Sequence, residues 1–241
     1  MNSVQSSVGA VALAVLFGFA AAPAQALVVN GGFEDTTSST PGVGLVNQNT
    51  LGSLASGSGS RSWDVFTSLN GWTTTAGSGI EVQTNNTLGS IDARTGQHYV
   101  ELDSHPAPNS NSTMAQDLVL DSGRYNLEFY YSPRNGDVGS NGIGFSVIDG
   151  LSNSLLLGEV TGPDANSSTS VGLWTLITAS FTVASDNTPI TLGFSATGTA
   201  NTLGGLIDDI SVSAVPVPAA LPLFLTAIAG LGFASRRRRA T

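Results

Sequence analysis

Asp208 stands where a carboxylate needs explaining. In Leu206-Ile207-Asp208-Asp209-Ile210-Ser211-Val212, an alternation of period two sets Asp208 on one face with Leu206, Ile210 and Val212. The acid should therefore point inward among apolar neighbours. An ionised carboxylate is costly to bury unless it is paired or bound to a metal. An oxygen-rich chain without lysine suggests a hard cation, calcium, as its partner. Backbone N–H groups, or one of Arg94, Arg124 and Arg134, would serve the same need.

A second chemistry is sugar binding, which asks for an exposed aromatic ring flanked by planar hydrogen-bonding groups. Trp63, Tyr130 and Arg134 are candidates, with Asn135, Asp137 and Asn141 in the loop that follows. Tyr130 qualifies because it alternates away from the face of Leu127, although Trp63 and Tyr130 read equally well as packing residues. Catalysis finds little support. His98 and His105 flank Glu101 and Asp103, but His98 alternates with Val100 and Leu102 and should be packed. Glu101 and Asp103 fall on one strand face, whereas glycoside hydrolysis needs its two carboxyl groups on opposite sides of the substrate. The chain has no G-x-S-x-G elbow, no H-E-x-x-H and no phosphate loop. The stretch from Asp137 is no helix-flanked calcium loop, because its twelfth position is Ile148 rather than glutamate. The chain is expected not to be an enzyme.

Composition narrows the field further. The 241 residues include no cysteine, which removes disulfides, thiolate metal sites and a cysteine nucleophile. All eight basic residues are arginine, so no Schiff-base lysine exists. Four of them form the block Arg236 to Arg239; the other four face all 17 acidic residues, a net of −13 for the chain outside that block. Such a body repels nucleic acid and anionic lipid, and no nucleic-acid partner is expected.

The elements that must position these residues read as strands. Tyr125, Leu127, Phe129 and Tyr131 share a face, with Asn126 and Glu128 on the other. Ile143, Phe145 and Val147 repeat the pattern, as do Ile190, Leu192 and Phe194. Leu173, Ile177, Ala179, Phe181 and Val183 suggest a longer strand. Residues 97–103 and 206–213 suggest two more. Short strands joined by Gly- and Pro-rich turns, with no helical spacing between them, predict an all-β antiparallel β-sandwich, with a jelly roll as the expected topology.

Two terminal segments stand apart from this body. Val8 to Ala22 is an apolar run followed by Ala24-Gln25-Ala26, the pattern of a signal peptide covering residues 1–26. At the other end Ala219 to Ala234 is uncharged and directly precedes the arginine block. A helix of that length rises about 24 Å, short of a ~30 Å hydrocarbon core unless its flanks contribute. The arginines would keep their end cytoplasmic and leave the body outside. Val215-Pro216-Val217-Pro218-Ala219, the apolar segment and Arg236, Arg237, Arg238 and Arg239 together resemble the PEP-CTERM sorting signal of Gram-negative bacteria. The nearest form is the VPLPA type, with Val217 in place of its leucine. The resemblance covers residues 215–241. It implies a transmembrane sorting helix, recognition by an exosortase-type enzyme, and delivery to the cell surface of an exopolysaccharide producer.

Residues 27–214 then form one domain. Asn30-Gly31-Gly32-Phe33-Glu34 near its start and Gly204-Gly205-Leu206-Ile207-Asp208-Asp209-Ile210 near its end resemble the galactose-binding-like jelly rolls. These include polysaccharide-binding modules and a domain-of-unknown-function family of secreted cell-wall proteins. Gly71-Trp72, residues 99–103, residues 131–134, and Trp174 leading into Phe181-Thr182-Val183 add to the match. The resemblance implies that the first and last strands lie close and share a structural calcium. Glu34 and Asp208 are its candidate ligands, with Asp209 as a second choice. It also implies that Trp72 and Trp174 pack in the interior. The expected function is binding or organising extracellular polysaccharide at the envelope. A structural matrix or adhesion protein without glycan specificity, or a weak glycan hydrolase, are the alternatives.

Overall fold

The structure, a computed structural model, describes residues 27–36, 40–41, 63–88, 91–105, 110–134, 139–162 and 171–216. Residues 1–26, expected to be a signal peptide, and residues 217–241 lie outside them, as does Asn135. No helix among the described residues is long and apolar enough to cross a membrane.

Twelve strands follow one another: β1 Thr40–Pro41, β2 Trp63–Leu69, β3 Trp72–Ala76, β4 Ile80–Thr84, β5 His98–Glu101 and β6 Thr113–Leu120. They continue with β7 Gly123–Ser132, β8 Ile143–Asp149, β9 Ser154–Val160, β10 Thr175–Val183, β11 Thr188–Ala196 and β12 Leu206–Ala214. Every pairing between them is antiparallel, along the path β10-β7-β12-β5-β4-β2-β3-β6-β11-β8-β9, with β1 beside β2. The path turns over on itself, so that apolar faces from both halves meet in one main core. Phe66, Ile80, Val82, Val100, Phe129 and Val212 from one half pack there with Trp72, Met114, Phe145, Leu192 and Phe194 from the other. The result is an all-β, nearly closed, jelly-roll-like sandwich.

Alternation explains most of the strands. On β7, Tyr125, Leu127, Phe129 and Tyr131 are buried while Asn126, Glu128 and Tyr130 point the other way. On β10 the pattern starts later than expected. The strand opens at Thr175, and Leu173 lies before it, largely exposed rather than in the core.

β12 departs from simple alternation in a way that moves Asp208. Its register against β7 pairs Asp208 with Tyr130 but Ser211 with Glu128, so one extra residue sits on β12. This is a β-bulge, and Asp209 takes it up at φ 51°. Ile207, Ile210 and Val212 face the main core, whereas Leu206 joins a smaller cluster with Ile91 and Tyr99 on the sheet's other side. Asp208 therefore does not share a face with Ile210 and Val212, as strict alternation had required. It is buried nonetheless, beneath the 94–95 segment.

The start of the body docks on that same last strand. Leu27 N–H donates to the Val212 carbonyl (3.1 Å) and Ile210 N–H donates to the Gly31 carbonyl (2.9 Å). A Cβ at Gly31 would lie 1.9 Å from the Ile210 carbonyl oxygen, so only glycine allows this approach. Buried Gln116 fixes the segment from β6, accepting from Val29 N–H (2.7 Å) and donating back to the Val29 carbonyl (2.9 Å). Phe33 then drops into the core against Trp72.

Candidate functional site

The sheet half β2-β4-β5-β12-β7 carries apolar side chains on its core face and an uncommon set of polar ones on its other face. Ile80 and Val82 of β4 point into the core, which sends Glu81 and Gln83 outward; Val100 and Leu102 do the same for Tyr99, Glu101 and Asp103. Register lines these residues up in rows. Trp63 pairs with Gln83 and Gln83 with Tyr99; one row along, Val65 pairs with Glu81 and Glu81 with Glu101.

All but Trp63 of these residues are buried, so their charges must be met locally. Arg134, which follows β7, puts Nη1 2.6 Å from both Glu101 oxygens and donates as well to the Thr202 carbonyl. Gly204 N–H adds a further bond to the Glu101 carboxyl (2.6 Å), beside one from Gln83 Nε2 (2.6 Å). Gln83 Nε2 also donates to Glu81 Oε1 (2.8 Å), so a single amide joins the two acids. Burial first, and then the charge of Glu81, push the Glu101 carboxyl well above its usual range against the pull of Arg134. On the outer side His105 donates its backbone N–H to Glu81 Oε2 (3.0 Å) and sets its ring Nδ1 2.9 Å from the same oxygen. That ring stacks on the Trp63 indole, with centroids 4.6 Å apart and planes 28° from parallel. Exposure grades along this chain of contacts: the His105 side chain is 37% exposed and that of Glu81 1%.

Of the ligand candidates read from the sequence, the structure links Trp63 and Arg134 through Gln83, His105 and the two glutamates. Tyr130 lies elsewhere. Four strand spacings of ~4.8 Å put its strand roughly 19 Å from that of Trp63. Its ring is capped by the Arg94 guanidinium at 4.3 Å, with Arg94 Nη2 3.3 Å from the Tyr130 hydroxyl. Trp72 is a core residue as expected. Trp174 is half-buried, packed edge-on against Tyr99, and donates from Nε1 to the Asp92 carbonyl (2.8 Å). Asp103 acts on its own surroundings. Its Oδ2 accepts from Asn201 and Leu203 N–H (3.1 and 3.0 Å), which pins the loop before β12. Glu81 and Gln83 were not singled out in the sequence, and Tyr99 entered only as part of the 99–103 match. The alternation of Ile80-Glu81-Val82-Gln83 was the available sign, since it places two polar side chains on one face of a strand.

The acids expected at a metal gather at the junction of the body's first and last segments. Asp208 Oδ2 accepts from Arg94 N–H (2.8 Å) and Thr95 N–H (3.4 Å), and Oδ1 accepts from Asp209 N–H (2.7 Å). Backbone amides, the second option left open by the sequence, are thus its partners. Desolvation, and then the neighbouring Asp209 charge, raise the Asp208 carboxyl to about 8. Asp209 Oδ1 accepts from the Thr95 hydroxyl (2.6 Å), and Glu34 Oε1 accepts from Gln97 and His98 N–H (2.7 and 2.9 Å). Burial works to raise Glu34, but the His98 side chain and these amides outweigh it and hold the carboxyl below its usual value. As the residues stand, both Asp208 oxygens, Asp209 Oδ1 and Glu34 Oε1 are engaged by N–H or O–H donors. Among the described residues no group of three or more His, Asp or Glu side chains is placed to share an ion. Val215, the first residue of the expected sorting motif, donates its N–H to the Arg124 carbonyl (2.8 Å); Pro216 follows, and the rest of that stretch lies outside the described residues.

No family model and no curated protein matches this chain. Solved structures do. A family 61 carbohydrate-binding module in complex with β-1,4-galactotriose is 17% identical with a TM-score of 0.46, covering 79% of this chain and 99% of that one. A family 4 carbohydrate-binding module is 12% identical with a TM-score of 0.36, covering 78% and 99%. The K1 cleaved adhesin domain of Lys-gingipain from Porphyromonas gingivalis W83 is 14% identical with a TM-score of 0.43, covering 61% and 92%. The likeness in each case is one of chain course.

Proposed function

We propose that this chain is an exported, surface-anchored protein whose β-sandwich body binds or organises extracellular polysaccharide, and whose tail is sorted and processed by an exosortase. The observation that carries the binding function is the Trp63–His105 stack set against the Glu81–Gln83–Glu101–Arg134 network. An aromatic platform at the edge of a rigid, hydrogen-bonded polar floor is what a pyranose needs, since its ring has apolar faces and a hydroxyl rim. The network is held by main-chain and side-chain bonds on both flanks, so it is ordered before a ligand arrives and little ordering entropy is spent on binding. No carboxyl pair here is free to act as acid and nucleophile: Glu101 is engaged by Arg134 and Glu81 by His105 and Gln83. Binding, not hydrolysis, is the activity we assign.

Calcium enters this proposal only as a stabiliser of the junction of Glu34, Asp208 and Asp209. Asp209 and Asp208 both face Gly32, where a Cβ would lie 3.3 and 3.9 Å from their Oδ1 atoms. An ion there would have to displace the Asp209 N–H from Asp208 and the Thr95 hydroxyl from Asp209.

The test is a polysaccharide-array experiment on the chain, run in calcium and again in chelator, with Trp63→Ala alongside. The proposal expects saturable binding to a few glycans and at least a tenfold loss in Trp63→Ala with its unfolding transition unchanged. Binding that survives Trp63→Ala would move the site elsewhere. No binding by a folded sample would sink the glycan function.

A further inference from the structure

Among the buried polar atoms of this sheet face without a hydrogen-bond partner, which include Asp103 Oδ1, two are neighbours in register. Gln83 Oε1 and the Tyr99 hydroxyl are both without one, and Gln83 and Tyr99 pair directly across β4 and β5. The orientation of the Gln83 amide is fixed by chemistry: the end lying 2.8 and 2.6 Å from two carboxylate oxygens must be the NH₂ donor, so the remaining end is the acceptor. An amide oxygen and a phenol sealed without partners each forfeit a hydrogen bond, which native interiors rarely tolerate without a reason. The same row continues to Trp63, which pairs with Gln83 on its other side. At ~4.8 Å per strand, Trp63 to Tyr99 spans about 10 Å, enough for one sugar ring on the indole with a hydroxyl reaching inward.

We propose that Gln83 and Tyr99 form the inner, hydroxyl-recognising end of the glycan site: one uncharged sugar hydroxyl donates to Gln83 Oε1 and accepts from the Tyr99 O–H, while its ring lies on Trp63. The inference rests on the glycan-binding function proposed above and narrows it to neutral sugars. Tyr99 remains an O–H donor throughout the working pH range, because burial and then the Glu101 charge hold its hydroxyl far above its usual value. A uronate would not fit. Glu81 and Glu101 already occupy the floor, and Arg134, the cation that touches it, is spent on both Glu101 oxygens and the Thr202 carbonyl. A ligand carboxylate would meet two buried acids and, among the described residues, no free cation beside them.

The experiment compares the full chain with Tyr99→Phe and Trp63→Ala. The probes are neutral β-1,4-galactan and xylan, and polygalacturonate beside its carboxyl-reduced twin, which keeps the linkage and loses the charge. Tyr99→Phe removes an unpartnered hydroxyl, so its thermal midpoint should equal or exceed that of the parent, while affinity falls about tenfold, the loss of one buried hydrogen bond. Parent affinity for the reduced polymer should exceed that for polygalacturonate at least tenfold. On the parent chain, competition by monodeoxy sugars should fall at one hydroxyl position and be indifferent to that position in Tyr99→Phe. A less stable Tyr99→Phe with unchanged affinity would mean that a sealed water holds the two atoms, and would overturn the inference while glycan binding stands. Equal affinity for the acidic polymer and its reduced twin would overturn its neutral selectivity. Absence of binding by the parent to every probe would overturn both it and the function it rests on.

Discussion

Asp208→Asn should change the pH dependence of stability, with a sign that can be worked out beforehand. The Asp208 carboxyl sits at about 8 in the folded protein against 3.8 for the free side chain. Between those values the unfolded chain is ionised while the folded one still holds its proton. The folded state therefore binds the extra proton, and stability falls as pH rises across the window. At about 1.4 kcal/mol for each tenfold difference, the full fall is roughly 6 kcal/mol, of the same order as the whole stability of a domain. Asparagine does not titrate and abolishes this slope. It has its own cost, because its NH₂ would face at least one of the three amides that now donate to Asp208, stranding a buried donor at about 1–3 kcal/mol. At pH 4.5 the two should thus lie within about 2 kcal/mol of each other, and near pH 8 Asp208→Asn should be the more stable by about 2–4 kcal/mol. Urea unfolding followed by tryptophan emission, at intervals from pH 4.5 to 8.5, measures the difference. Other titrating groups, Glu101 among them, are common to both proteins and largely cancel. A difference constant to within about 1 kcal/mol over that range would refute the reasoning. Saturating calcium adds a further arm: an ion bound at Asp208 would keep it ionised, flatten the parent's slope and leave Asp208→Asn unmoved.

Two further outcomes follow from packing. Arg134→Met leaves Glu101 buried without its cation and should cost about 3–5 kcal/mol in urea unfolding; adding Glu101→Gln should recover part of that loss, because the charge to be compensated is gone. Gly31→Ala places a methyl on the Ile210 carbonyl and should destabilise by about 1–3 kcal/mol, with amide exchange rising first at residues 27–33, where the segment leaves β12.

Much of the architecture was legible because alternation is a local property. Tyr125 to Tyr131, Ile143 to Val147 and Ile190 to Phe194 each announce a strand and its buried face without reference to anything distant. Where that property failed, the cause was specific. Leu155-Leu156-Leu157 on β9 has no alternation to show, and β6 hides its own because Gln116 occupies a core-facing position, where it grips Val29. On β12 a single inserted residue turned Asp208 away from Ile210 and Val212, and no pattern within Leu206 to Val212 marks it. The site was legible only in pieces. Trp63 and Arg134 carry recognisable chemistry, but they act together only because β2, β4 and β5 lie side by side, and strand order is a global outcome. Glu81, Gln83 and Tyr99 look like ordinary outward residues until the register puts them in adjoining rows. Tyr130 looked the equal of Trp63 until Arg94, 36 residues away in sequence, was found over its ring.

The docking of residues 27–33 onto β12 also bears on the order of events as the chain is made. The earliest part of the body to leave the ribosome is the part whose partners are synthesised last. Until residues 206–214 appear, Leu27 and Gly31 have no strand to bond to, and β5 and β7 have no strand between them. Contacts spanning nearly the whole body make closure slow, since loop entropy must be overcome before they form. The emerging chain thus stays incomplete until its final strand arrives, with its other strand edges open meanwhile.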